Sequence, residues 1–270
     1  MAGLPAGAPL RRGPGVPGAP APLRGRRAVV VSGSRLYRDE GVVLRTYKLG
    51  EADRIVVLAT QQHGKVRAVA KGVRKTKSKF GARLEPLSHV ALQLYEGRNL
   101  DTITQVEGID AFRPIRDDLD RYGAAMTVLE VVDQLSMERE SDPHRFRMLV
   151  GVLRTLADND NPLVVPAFEL KVLAHEGLGL QVDECVSCGA GDPLVAIDLL
   201  SGGMRCPTCR QGRAVSGEAL RLLRAILGGR LSTVLAEEPS PAAAEVAAIA
   251  TEAVEQLIER RLRTPGLLGH

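Results

Sequence analysis

Near Phe112 the hydrophobic period of this chain changes from two to about 3.6, which limits the fold to a strand-built unit followed by a helical one. Upstream, residues 41–47 (GVVLRTY), 54–60 (RIVVLAT), 65–70 (KVRAVA), 88–95 (SHVALQLY) and 102–107 each read as a short strand. Turns at Gly50, Gly64 and Gly97-Arg98-Asn99 separate them. Five strands with turns this tight fit a small closed barrel. The OB-fold is the commonest barrel of that count, but an SH3-like barrel has the same strand statistics. Downstream, Asp118 or Asp120 caps a helix with Tyr122, Met126, Leu129, Val132 and Leu135 on one face. Asp142-Pro143 places a cap before a proline at the first helical position. Residues 166–176 form a third helix ended by Gly177, Ser216 caps a fourth to Leu227, and Ser240-Pro241 opens a last one running to Leu262. The predicted class is α+β.

Lys65, Arg67, Lys71, Arg74, Lys75, Lys77, Lys79 and Arg83 fall within one run with no acid among them, the next being Glu85. Its first half alternates as a strand with one charged face, and 72–81 reads as an exposed loop. Like charges at this density repel, so folding does not account for them. A polyanion does, because each cation that neutralises a phosphate releases condensed counterions. The plain alternative is a solvated loop. Phe80 lies inside the run and is the candidate for stacking on a base, while Tyr47 and Tyr95 fit either stacking or the barrel core. The net charge of +4 hides this focus: residues 1–34 hold five arginines and no acid, leaving the remainder at −1. Charge gathered in one place attracts an anion better than the same charge spread thinly.

Cys185-Val-Ser-Cys188 and Cys206-Pro-Thr-Cys209 are two CxxC pairs 17 residues apart. Four thiolates so spaced close a tetrahedral structural zinc site with no open position for chemistry. A redox CxxC needs only one pair in a βαβ setting, which is missing. Between the pairs, residues 195–200 and Met204-Arg205 flank a Ser201-Gly202-Gly203 turn as a hairpin. No P-loop, GxSxG or HExxH is present. The acid pairs Asp117/Asp118 and Glu237/Glu238 are explained by capping and solvation, so no catalytic residue is assigned.

Residues 1–34 are Gly/Pro/Ala/Arg low-complexity sequence, expected to be disordered. Val31 is a candidate alternative start. No segment approaches the ~20 apolar residues of a membrane span, and no export signal is recognised. The expected location is therefore the cytoplasm, where four cysteines point to metal before disulfides.

Residues 36–87, from LYRDEGVVLRTYKLGEADRI to KSKFGARLEPL, resemble the N-terminal domain of the RecO recombination mediators. FELKVLAHEGLGLQVDECVSCG (168–189) resembles the lead into that family's zinc-binding region. The resemblance spans roughly 36–263. It implies an N-terminal OB-fold β-barrel followed by an α-helical domain with an inserted four-cysteine zinc subdomain. The expected division is an extension at 1–34, a DNA-binding barrel at 35–112, helical parts at 113–182 and 214–264, the zinc subdomain at 183–213, and a tail at 265–270. It also implies a non-enzymatic mediator that binds single- and double-stranded DNA and anneals strands. With RecR, such a mediator loads RecA onto strands coated by single-strand-binding protein, in the cytoplasm at the nucleoid. Capture of the acidic, apolar tail of single-strand-binding protein requires a groove with a cationic rim, for which Arg145, Arg147 and Lys171 are candidates. Two other classes compete: a zinc-ribbon adaptor in transcription, and a metal-dependent nuclease.

Overall fold

The first strand is longer than its pattern of alternation suggests, and that length closes the barrel. In the computed structural model, which describes residues 35–75, 78 and 80–264, β1 runs Leu36–Leu49. Its first half pairs with β4 (His89–Tyr95), from Leu36↔Tyr95 to Val42↔His89. Its second half pairs with β2 (Asp53–Thr60), from Gly41↔Thr60 to Leu49↔Asp53. An irregularity between Val43 and Arg45 bends the strand so that it serves both neighbours. β2 continues antiparallel to β3 (Gly64–Ala70), β3 meets β5 (Asp101–Asp110) in parallel, and β5 returns to β4. The closed order β1-β2-β3-β5-β4 is the OB arrangement, which settles what strand count left open. The expectations for 1–34, including a start at Val31, and for 265–270 lie outside the described residues.

Val43, Val56, Leu58, Val66, Leu92 and Leu94 fill the barrel. A 3₁₀ turn, Gly81–Leu84, stops one opening, with Phe80 and Leu84 each 1% exposed in that same core. Phe80 is therefore not a stacking surface. In a chain with four phenylalanines and no tryptophan, its ring is the bulk that closes the barrel.

The outer side of β1 and β2 is apolar too. Val42, Leu44, Val57 and Ala59 belong to the core of the helical part, with Val128, Leu149 and Leu153. After a single turn, α1 (Arg113–Arg116), come α2 (Leu119–Leu135), α3 (Pro143–Asp158) and α4 (Val164–His175). Asp118 and Asp142 cap α2 and α3 as expected, accepting from the N–H of Arg121 and Arg145. A second core joins α4 to the cysteine segment, α5 (Gly217–Leu227) and α7 (Ala242–Leu257), with α6 (Leu231–Ala236) between α5 and α7. α7 stops five residues before the predicted Leu262, since Glu259 takes φ +53°. Leu262 remains buried in the core, so an apolar residue at the right spacing extended the pattern past the helix.

The two parts are also joined through backbone. Lys65 N–H donates to Met137 O at 3.4 Å, and Arg139 N–H to Lys65 O at 3.1 Å, laying the α2–α3 loop along β3. Gly64 stands at φ +65°, and a Cβ there would lie 1.9 Å from the Glu140 carbonyl oxygen, so only glycine fits.

Between α4 and α7 lies a buried acid. Glu169 is fully enclosed; Thr251 Oγ1 donates to its Oε2 at 3.2 Å and its Oε1 has no partner among the described residues. Burial pushes its pKa from 4.5 up to about 8, so the neutral acid is the form that folds. Because the folded value is the higher one, its contribution to stability is full below about pH 4.5 and is lost as pH rises through about 8. Glu169→Gln should remove up to about 1.4 kcal/mol of lost stability per pH unit across that window. Urea melts at pH 5, 6.5 and 8 measure it. A variant that loses stability with pH as steeply as the parent would show that Glu169 is ionised in the fold.

Candidate nucleic-acid interface and metal centre

The strand register assembles a row of side chains on the outer face of the barrel. Tyr47 lies opposite Ile55, Ile55 opposite Val69, Val69 opposite Thr102, and Thr102 opposite Tyr95. The two tyrosines at its ends are 42% and 44% exposed, and the three residues between are partly exposed. Alternation within each strand leaves both tyrosines outside the barrel core, so the exposed rings of the barrel are here and not at Phe80. What hid it is that Tyr47 and Tyr95 sit 48 residues apart in sequence and become row-mates only through β2, β3 and β5. Rows of aromatic and apolar side chains across the outer strands, flanked by loops, are how OB barrels hold single strands.

The basic run divides on either side of this row. Beyond β3 the chain is pinned to the β1–β2 turn: Gly72 N–H donates to Asp53 Oδ1 at 2.7 Å, Arg74 N–H to Ala52 O at 3.0 Å, and Arg74 Nη1 to Gly50 O at 3.3 Å. Lys71, Arg74 and Lys75 are exposed there and form no ion pair among the described residues. Arg98, in the β4–β5 turn, is exposed too; the parallel register Ala68↔Asp101 and Val69↔Thr102 brings that turn in on the Arg67 side of the row, opposite Lys71. As a single cation in a turn, Arg98 gave no signal in the sequence. Lys77 and Lys79 lie outside the described residues. Arg83 is exposed in the 3₁₀ turn, on the rim of a separate depression with Arg113 and Arg116.

Lys65 and Arg67 correct the expectation of one uncompensated cluster. The Lys65 side chain is 15% exposed; its Nζ donates to Asp133 O at 2.6 Å and lies 3.5 Å from Asp133 Oδ1. Arg67 reaches Glu138 at 3.5 Å, an exposed pair of little energetic weight. Both partners come from the helical part, remote in sequence, so a local count of acids missed them.

The four cysteines converge at the second core. Their Sγ atoms all lie within 4.8 Å of one another, and Cys188 and Cys206 are 3.8 Å apart. A tetrahedral zinc about 2.3 Å from each sulfur sets neighbouring sulfurs about 3.8 Å apart. The N–H groups of Cys206, Ser187 and Cys188 overcome burial and pull the Cys185 thiol down to about 6. Cys188 goes the other way, to about 11: the Ala190 N–H lowers it, but hydrogen bonds to Cys185, Cys209 and Cys206 outweigh that. Four thiolates ionise together only around a cation, and donors and spacing fit one metal ion. The predicted hairpin is present as β6 (Ala196–Asp198) and β7 (Gly203–Arg205), joined by a short β8 (Arg213–Ala214) that the pattern did not show.

Of the three candidate rim cations, Arg145 does not stand on a rim. Its guanidinium holds Asp142 at 3.1 Å and Glu176 at 2.7 Å with the side chain 14% exposed, a structural tie between α3 and the end of α4. Lys171 lines an apolar groove of about 240 Å³ between α3 and α4, floored by Val152, Val164 and Phe168. Arg147 is exposed on α3 beside that groove's Met148. The acid pairs keep their plain explanations: Asp118 caps α2, and Glu237 pairs with Arg221 at 2.7 Å. No described helix is long and apolar enough to cross a membrane.

Residues 34–112 match the family described as Recombination protein O N terminal, and 116–265 match Recombination protein O C terminal. A curated protein named DNA repair protein RecO, from Frankia casuarinae, is 45% identical over 234 residues, covering 84% of this chain and 96% of its own length.

Proposed function

The chain belongs to the Recombination protein O family, with its role in DNA repair and recombination, and from that premise we propose that it is a non-catalytic mediator that binds DNA on the outer face of its barrel. The observation that carries this reading is the row from Tyr47 to Tyr95, bordered by Lys71, Arg74, Lys75 and Arg98. Bases of a single strand stack along the row while its phosphates meet the cations, with Lys77 and Lys79 of the same basic run adding to them and Arg83 offering a further phosphate contact at its separate depression. Duplex is held by the cations alone. Two strands brought together this way are screened without their base edges being covered, which is what annealing requires. Lys65 and Arg67 set the depth of the surface and make few phosphate contacts.

The wider role follows the family. With RecR, the protein helps load RecA onto strands coated by single-strand-binding protein, in the cytoplasm at the nucleoid. The acidic, apolar tail of that protein enters the groove at Lys171, with Arg147 at its margin. Cys185, Cys188, Cys206 and Cys209 hold one structural Zn²⁺, which cross-links the hairpin and does no chemistry. Residues 35–112 are the DNA-binding unit and 113–264 the body that presents it.

Annealing of complementary oligonucleotides without ATP tests this reading. The protein is expected to anneal; a zinc-ribbon adaptor would not, and a nuclease would shorten the strands with Mg²⁺. Lys71→Glu with Lys75→Glu should reduce the slope of log affinity against log salt by about 0.7 to 0.9 per lost phosphate contact. A slope equal to the parent's places the DNA elsewhere.

A further inference from the structure

Where the barrel meets α2 and the C-terminal segment there is a cleft of about 390 Å³. Its floor is apolar (Leu44, Met126 and Leu129), and Arg45, Lys65, Arg260 and Arg263 reach it from β1, β3 and the chain beyond α7. Two acids face these four cations, which leaves the cleft a net charge of +2. Asp133 is almost fully buried and takes Arg45 Nε at 2.6 Å as well as Lys65 Nζ. Glu130 accepts the backbone N–H groups of Arg263 and Thr264 at 3.0 Å and the Thr264 hydroxyl at 2.7 Å. Arg260 is held by an uncharged partner, Gln134, at 2.8 Å. Neither Arg260 nor Arg263 has an ion pair among the described residues, and both are exposed.

The cleft is not isolated. The Arg45 guanidinium lies 5.0 Å from the centre of the Tyr47 ring, so one arginine borders both the cleft and the stacking row. From Arg45 to the turn at Gly50 is about 17 Å of strand. The cations at Arg260, Arg263 and Arg45 thus continue, past Tyr47, into those at Arg74, Lys75 and Lys71. We infer that this cleft is a second backbone-binding site, which takes the phosphates of a single strand as it leaves the row at Tyr47. The inference rests on the barrel being the DNA-binding face. It adds a direction: the strand runs from the basic loop toward the helical part instead of off the barrel's edge.

The test uses the full chain and thymidine oligonucleotides of about six and about twenty nucleotides, with affinity measured between 50 and 200 mM salt. Arg260→Glu with Arg263→Glu should leave the short oligonucleotide bound as before, since it is accommodated on the row alone. For the long one, the salt slope should fall by about 1.4, from about 0.7 per contact, and affinity at 0.1 M salt roughly twenty-fold. Arg260→Gln with Arg263→Gln should show the same length-selective loss without adding negative charge beside Glu130, whose bonds come from the backbone N–H groups of Arg263 and Thr264. A parental slope on the long strand overturns the inference, and so does an equal loss on both lengths. In either case the barrel reading stands if Lys71→Glu with Lys75→Glu still weakens binding. If that pair has no effect either, both readings fall together.

Discussion

Replacing Cys206 with serine should empty the metal centre and lower the melting temperature by about 10 to 20 °C. The stretch from Asp183 to Arg213 has little else to hold it. β6, β7 and β8 are two or three residues each, so backbone pairing is sparse. What the segment does supply is apolar: Leu194, Ile197, Met204 and Cys206 sit in one cluster with Leu223, Ile226 and Val246 from α5 and α7. Losing the cross-link therefore unseats more than a hairpin, because two helices pack on it. Structural zinc contributes about 10 to 16 kcal/mol in small fingers. A zinc ion in the proposed site would share that role with packing, and a loss of about 5 kcal/mol, at about 2 to 4 °C each, gives the stated shift. Calorimetry with metal quantification checks it, and a chelator should move the parent toward the variant. A metal-free variant that melts with the parent would show that the cysteines are not structural ligands.

Phe80→Ala should destabilise by about 3 to 5 kcal/mol, the ordinary cost of emptying an aromatic site in a core. It should not change the salt slope or the affinity for DNA at temperatures where the variant is folded. Tyr47→Ala should do the reverse: a loss of about 1 to 3 kcal/mol in single-strand affinity, the usual range for one stacked base, with little change in stability. The pair of variants separates the two roles a ring can have in this barrel. Denaturant melts alongside anisotropy titrations decide it. DNA affinity lost at Phe80 in a folded protein, or retained at Tyr47, would return the stacking site to the loop.

Those two rings also show where sequence informs and where it does not. Period and caps are local, so the five strands and the starts of α2, α3 and α5 were legible, down to Asp118, Asp142 and Ser216. The convergence of the four cysteines was legible because two CxxC pairs at a fixed spacing have few other uses in one chain. Partners across the fold were not. By sequence Lys65 reads as a free cation, but Asp133 from α2 pairs with it, and Arg145 reads as a rim cation, but Glu176 at the end of α4 closes on it. Phe80 misled because polar neighbours mark a loop but do not say which of its side chains turns inward. α6, six residues with no side-chain cap, leaves no local signal.

The α2–α3 loop laid along β3, with Gly64 beneath Glu140, bears on how such a barrel can be used. Cut away from the helices, it would bare Val42, Leu44, Val57 and Ala59 to water and leave the backbone of Lys65 without its neighbours. Such a fragment would tend to clump instead of standing as a portable module. It follows that, in the proposed complex, a strand pulling at Tyr47 would load the helices through β3 and the shared core.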